Sequence, residues 1–418
     1  MSVPTSIIPQ LEAAKNASRV INRMDDALRQ KITMGIASSL RSHTGQVLEA
    51  NKADLEAMGK ANPLFDRLQL TAERIAAIAD ATETVANLDD PSGKKIGETR
   101  PANGLLIEKI TVPLGVVGAI FEARPNVTVD ITALCLRSGN AVVLKGGSDA
   151  HHSNQCLAEL MQGVLVENGL PPEIITLLPP QREYVGELLT ATRFVDVIIP
   201  RGSQGLIDFV RKNATVPTIE TGAGVCHTYV HEKADLAKAA AIVVNAKTQR
   251  PSVCNALDTV LVDAKIAGSF LPLLLPGFLP FNVGVYADPV AFEVLAGRGY
   301  PNLHQARTDD FGREYLSQNC SIKTVGGLEE ALVHIAKYSS RHSEAIVTED
   351  SIAAETFLSD VDAAAVYHNA STRFTDGGEF GLGAELGIST QKLHARGPFA
   401  LEKLVCEKWV VRGTGQVR

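Results

Sequence analysis

The chain has 418 residues, 45% of them hydrophobic, too many for one core and enough for two or three domains. Its net charge of −7 argues against nucleic acid as the main partner, because phosphate backbones are bound by a basic face. Few aromatics, many small aliphatics and 34 glycines are the composition of an α/β enzyme, and local clusters of Arg and Lys leave a small anionic substrate open.

Met1 to Gln10 lacks a basic stretch leading into an apolar core, so no signal peptide is expected. Residues 10–90 read as helices: Leu28, Ile32, Ile36 and Leu40 recur every fourth position, and Ile75, Ile78 and Val85 do much the same. Pro91-Ser92-Gly93-Lys94-Lys95 closes that region with turn chemistry. Leu105–Val112 alternates as a strand does, and Gly115–Phe121 reads as a buried strand. Strands are then predicted at Ala141–Leu144, Ile174–Leu178, Val195–Ile199 and Val216–Ile219, with helices at 153–167, 182–190 and Ser203–Arg211 between them. This rhythm predicts a parallel, doubly wound sheet. A second series starts near Cys226, with a helix at 234–246 and strands at Thr259–Val262, Ile322–Val325, Ala345–Val347 and Ala364–Tyr367. It includes a helix at 328–338 and a last strand at Leu404–Val411. Phe270 to Phe281 is apolar but interrupted by Pro272, Pro276 and Pro280, too short and broken to span a bilayer, so a soluble, cytoplasmic protein is expected. The two α/β halves are expected to meet near residues 220–226, with ligand-binding loops at the carboxyl ends of strands.

The six cysteines form no CxxC pair, and His227 and His231 read as strand positions, so no metal site is expected. Cys254 lies in Lys247-Thr248-Gln249-Arg250-Pro251-Ser252-Val253-Cys254-Asn255-Ala256, between a helix and an apolar strand, downstream of Glu220 in a Gly-rich turn. A thiolate both accepts and releases an acyl group, so the pair points to covalent acyl chemistry. Arg250 and Lys247 are the cations that would raise the thiolate fraction.

Three Gly-rich turns follow predicted strands. Lys145-Gly146-Gly147-Ser148 offers a point charge and backbone N–H groups to a phosphate or ribose. Arg201-Gly202-Ser203 opens a helix whose N-terminus suits a pyrophosphate, and Glu220-Thr221-Gly222-Ala223-Gly224 is the third. The GxGxxG fingerprint is absent, so a standard Rossmann site is not supported. Ser148, where a carboxylate would repel a 2′-phosphate, favours NADP over NAD, with Lys145 and His151 or His152 beside it. Phe121-Glu122-Ala123-Arg124-Pro125-Asn126 ends the buried strand with groups suited to binding an anion and polarising a carbonyl. Asn369 to Gly381 is a long polar loop with Arg373 embedded in it.

In order along the chain, Pro113–Ile120, Gly139–Lys145, Gly202-Ser203, Glu220 and Cys254 resemble the aldehyde dehydrogenase superfamily over nearly the whole length. FEARPNVTVD (121–130), QRPSVCNALD (249–258) and NASTRFTDGGEFGLG (369–383) resemble the branch that reduces an acyl phosphate. The resemblance implies two doubly wound α/β domains with a small β oligomerisation element. The boundaries expected are 1–95 and 113–222 for NADP binding, 223–402 for catalysis, and 96–112 with 403–418 for oligomerisation, those strands pairing across subunits. It implies Cys254 as nucleophile, with Lys145, Gly147, Ser148, Gly202 and Ser203 on the cofactor and Glu314 on the nicotinamide ribose. It also implies NADPH-dependent conversion of L-glutamyl 5-phosphate to L-glutamate 5-semialdehyde and phosphate, in proline biosynthesis. The partners implied are a homo-oligomer and functional coupling to glutamate 5-kinase.

Hydrolytic members carry Trp-Asn where Ala123-Arg124-Pro125-Asn126 stands here, which leaves the oxyanion donor open between Asn126, Arg124 and the Cys254 backbone N–H. Arg124, Arg250 and Arg373 are the candidate substrate contacts. Glu220 is expected to keep only a minor role in orientation or proton transfer, since a base that activates water would discard the acyl group. The competing readings are a hydrolytic, NAD-dependent enzyme on the same fold and a scaffold that has lost the chemistry.

Overall fold

The computed structural model describes residues 5–60, 62 and 64–418. The first four residues, where the expected cofactor domain begins and which belong to the stretch read for a signal peptide, lie outside them. Two compact units emerge, and the chain passes between them after Thr221, Phe380, Gly387 and Pro398.

Unit 1 begins with helices that include Ile8–Ile21, Asp26–Ser42, Thr44–Met58 and Ala72–Ala86. Asp25 and Thr71 start the second and fourth by accepting the N–H groups of Leu28 (2.8 Å) and Arg74 (3.2 Å). Ile32, Ile36 and Leu40 are buried on one face, as four-residue spacing requires. β1 (Lys95–Thr99) and β2 (Leu106–Pro113) form an antiparallel pair. β3 (Val116–Phe121) and β4 (Ala141–Gly146) are buried along their whole length, as parallel strands covered on both faces are. With β5 (Ile175–Leu177) and β6 (Val197–Arg201) they make a parallel sheet of order β5-β4-β3-β6. Phe121 is level with Gly146 on one side and Arg201 on the other, so the turns after β3, β4 and β6 leave the carboxyl edge side by side.

Val216–Ile219 is not the strand the sequence predicts. One bridge joins Thr218 to Ile198. Ile198 N–H donates to the Pro217 carbonyl (2.8 Å) and Ile219 N–H to the Ile198 carbonyl (2.9 Å). Pro217 has no N–H with which to extend a ladder.

Unit 2 comprises Gly222–Phe380 and Ile388–Pro398. Its strands are β7 (Cys226–Val230), β8 (Leu257–Asp263), β9 (Gly284–Ala287), β10 (Leu303–Gln305), β11 (Asn319–Val325), β12 (Ser343–Val347) and β13 (Ala365–His368). All are parallel, in the order β10-β9-β11-β8-β7-β12-β13. The Pro-interrupted stretch around residue 275 folds into short helical turns that bury Phe270, Leu271, Leu274 and Phe278 against β8, β9 and β11. Two short strands, β14 (Glu385–Ser389) and β15 (Gly397–Ala400), pair with each other.

β16 (Val405–Arg412) runs antiparallel to β2 from Val405 opposite Pro113 to Arg412 opposite Leu106. The two strands expected to pair across subunits therefore pair within one chain, as the sheet β1-β2-β16. Among the described residues no helix is long and apolar enough to cross a membrane.

Candidate active site

Cys254 stands in the turn between the helix Leu236–Thr248 and β8, hence at the amino end of that strand. The loops entering β7, β8 and β11 converge here, at the amino ends of those strands, whereas the sequence places ligand loops at carboxyl ends. Gly224 N–H, ahead of β7, donates to Glu314 Oε1 (2.8 Å), ahead of β11. The neighbouring Tyr315 N–H donates to Asp258 Oδ1 (2.9 Å) on β8. A Cβ on Gly224 would lie 1.5 Å from the Cys254 carbonyl oxygen and 2.6 Å from its Cα, so a side chain there is excluded. The Cys226 thiol donates to the same carbonyl (3.3 Å), and burial pushes its pKa far up, which keeps it neutral. Cys135, Cys156 and Cys320 are buried as well, whereas Cys254 is half-buried, as is Cys406 on β16.

Arg373 comes to the same turn from the short helical segment Thr372–Phe374. Its Nε donates to Gln249 Oε1 (3.1 Å), and its Nη1 donates to Asn255 Oδ1. The buried Asn255 returns Nδ2 to the carbonyls of Arg373 (3.2 Å) and Thr375 (2.9 Å), and its own carbonyl accepts the Thr372 hydroxyl (2.8 Å). Burial and then Arg250 lower the Arg373 pKa; Asp376, Cys254 and Glu379 pull it up. The coupling to Cys254 is thus attractive, and Arg373 is a cation that favours the thiolate.

Lys247 is not, and it is not a solvated charge either. It is fully buried, with Nζ donating to the Asn319 carbonyl (2.7 Å) and 3.9 Å from Asp258 Oδ1. Burial lowers the Lys247 pKa and pushes Asp258 up to about 7. The pair is internal scaffolding beneath β8.

In unit 1, Lys145 is buried one residue before the end of β4, with Nζ donating to the carbonyls of Gly146 (3.0 Å) and Pro180 (2.9 Å). Burial, reinforced by Arg182, lowers its pKa to about 8. Gly147 and Ser148 follow, at the start of the turn into the helix His151–Glu167. His152, expected beside a 2′-phosphate, has its Nδ1 on Asp54 Oδ1 (2.8 Å), a carboxylate that also takes Ser153 N–H (2.8 Å). Ser203 caps the helix Gln204–Asn213, while its own N–H donates to Glu122 Oε2 (2.9 Å). A Cβ on Gly202 would lie 2.6 Å from that oxygen. Glu122 therefore puts a carboxylate at the helix N-terminus where the sequence predicts a pyrophosphate.

Arg124 precedes the helix Pro125–Arg137, after Ala123 at φ +36°, an uncommon conformation for a residue with a side chain. One turn into the helix, Asp130 Oδ2 accepts from Asn126 Nδ2 (2.9 Å) and so fixes which way the amide points. Burial pushes Asp130 up to about 6, against the Asn126 hydrogen bond and the Arg201 charge. Glu220 lies 3.7 Å from Arg211 Nη1, and burial raises its pKa despite Arg211. Among the described residues no cluster of three metal-ligating side chains occurs. Within unit 2 the structure brings Cys254, Arg373, Gln249 and Asn255 together, and Glu314 joins them through Gly224. The sequence names Gln249 and Asn255 only as motif letters, and Glu122 and Asp130 only as neighbours. For Asn255 the signal was a polar side chain at the start of a buried segment; Gln249 lies in an exposed stretch and gave none.

The aldehyde dehydrogenase family model matches residues 5–291. Over 415 residues, 99% of each chain, the sequence is 52% identical to the gamma-glutamyl phosphate reductase of Pelodictyon phaeoclathratiforme. It is 50% identical over 416 residues, again 99% of both, to the gamma-glutamyl phosphate reductase of Legionella pneumophila. The crystal structure of a gamma-glutamyl phosphate reductase from Thermotoga maritima superposes with a TM-score of 0.94 at 42% identity, over 99% of this chain and 100% of that one.

Proposed function

The chain belongs to the aldehyde dehydrogenase family, and we propose that it reduces L-glutamyl 5-phosphate to L-glutamate 5-semialdehyde and phosphate with NADPH, in proline biosynthesis. It is an oxidoreductase that uses a nicotinamide cofactor. The observation that carries the substrate reading is the turn of Cys254 pinned to Arg373, a half-buried thiol with a fixed cation for an anionic acyl donor.

The Cys254 thiolate attacks the acyl carbon, the bond to the phosphate oxygen breaks, and phosphate departs to leave a thioester on Sγ. A free thiol is only a few per cent ionised at neutral pH, at a pKa of ~8.5, so the pull of Arg373 favours the reactive form. Bound NADPH supplies the hydride that reduces the thioester to a thiohemiacetal. Collapse of the thiohemiacetal returns the electrons of the C–S bond to Cys254 and releases the aldehyde. The negative oxygen at each stage is assigned to donors among the Asn126 amide, Arg124 and the Cys254 backbone N–H. Arg124, Arg250 and Arg373 take the substrate's anionic groups.

Lys145, Gly147, Ser148, Gly202 and Ser203 are proposed to hold the cofactor, with Glu314 at the nicotinamide ribose. The buried cation of Lys145, held by two carbonyls at the carboxyl end of a parallel strand, fits such a ligand. Glu220, with its raised pKa and its Arg211 neighbour, is given proton transfer or orientation rather than activation of water. A cytoplasmic homo-oligomer fed by glutamate 5-kinase completes the proposal.

The test is NADP reduction with glutamate 5-semialdehyde, with and without phosphate. Reduction is expected only with phosphate, weakly with NAD, and not at all in Cys254→Ser, while Glu220→Gln lowers it only in part. Acid formation without phosphate would instead identify a hydrolytic enzyme.

A further inference from the structure

We propose that Gln249 and Asn255, which flank the Cys254 turn, are positioning residues that orient the guanidinium of Arg373 before substrate arrives. The inference rests on the functional reading above, in which Arg373 takes an oxyanion group of the substrate, its α-carboxylate or its phosphoryl group. Two side-chain carbonyls from one loop hold two different nitrogens of the guanidinium, Nε at Gln249 Oε1 (3.1 Å) and Nη1 at Asn255 Oδ1. Two contacts on a planar group fix its plane as well as its position, which one contact cannot do.

Asn255 also ties the backbone of the Arg373 segment, through the carbonyls of Arg373 (3.2 Å) and Thr375 (2.9 Å) and the Thr372 hydroxyl (2.8 Å). The nucleophile loop and the arginine loop are thereby one piece. Holding a guanidinium in place against Arg250 and partial burial, both of which disfavour its charge there, calls for such a grip. Because the amides sit on either side of Cys254, the distance from thiol to cation is set by a single turn.

The test compares Gln249→Ala, Asn255→Ala, Arg373→Ala and the double variant Gln249→Ala/Arg373→Ala, each in phosphate-dependent NADP reduction. Asn255 is buried and its loss strips three side-chain bonds; Gln249 is exposed, so Gln249→Ala carries the test alone if Asn255→Ala does not fold. Misplacing a positioned group by about an ångström costs up to ~100-fold, so a rise in KM of roughly 10–100-fold is expected for Arg373→Ala and Asn255→Ala, and a smaller one for Gln249→Ala. The rise falls on the KM for semialdehyde if Arg373 takes the carboxylate and on the KM for phosphate if it takes the phosphoryl group; the KM for NADP is unchanged. In the Arg373→Ala background Gln249→Ala adds nothing, because it acts only through Arg373. A parent enzyme with no phosphate-dependent activity overturns the functional reading and this inference together. An active parent whose KM values survive Arg373→Ala overturns the role of Arg373. A Gln249→Ala enzyme with parental kinetics, or one that adds its full factor to Arg373→Ala, overturns the positioning role alone.

Discussion

Gly224 is defined by the backbone it leaves room for. The Cys254 carbonyl occupies the volume of the missing side chain, so Gly224→Ala must push the nucleophile's turn away by more than an ångström. We expect kcat to fall about 100-fold with the circular dichroism spectrum unchanged, since the cost is displacement of a reacting group rather than loss of the fold. In the sequence Gly224 reads only as the end of a Gly-rich turn, because its real neighbour belongs to a different strand's entry loop. The place of Cys254 was legible: the turn between a helix and an apolar strand that the sequence predicts is where the structure has it. Lys247 was not, because a lysine in a helix's last turn normally faces water, and only the packing of Asp258, Asn319 and Tyr315 shows that this one does not.

The helix Pro125–Arg137 carries a charge at a place where charge is costly. Asp130 has a pKa near 6 in the folded chain against an ordinary 3.8, so the folded state binds the proton more tightly than the unfolded one. The contribution of Asp130 to stability is therefore greatest below about pH 4, is lost as pH rises between those two values, and is level above them. Asp130→Asn removes the ionisation, and its melting temperature is expected to exceed the parent's above pH 7 and to match it at pH 4. The same burial that raises this pKa made the neighbouring elements readable. β3 and β4 are continuous apolar runs, and the helices before them keep a four-residue period. β9 and β10, only 4 and 3 residues long, are too short to show a period, and Pro217 broke the ladder of a segment that otherwise reads as β.

Across the molecule, alternation of β halves and helices made both sheets legible, but not the return of the chain's end to unit 1. That return depends on eight residues of β16 finding β2, and no local pattern records a partner so far away. The sheet they form exposes Trp409 (61%) and Val411 (53%) on one face, apolar surface that fits the proposed assembly. Trp409→Glu is expected to lower the mass measured by light scattering while circular dichroism and the Cys254 alkylation rate stay as in the parent. The pairing of β2 with β16 also imposes an order on biosynthesis. While the ribosome is still making unit 2, β2 already exists with one edge open, and its partner β16 follows unit 2 in the chain. A chain cut short by a premature stop or a clipped C-terminus would keep that edge bare, and bare edges recruit other strands. The sheet β1-β2-β16 of unit 1 thus closes only after the strands of unit 2 have been made.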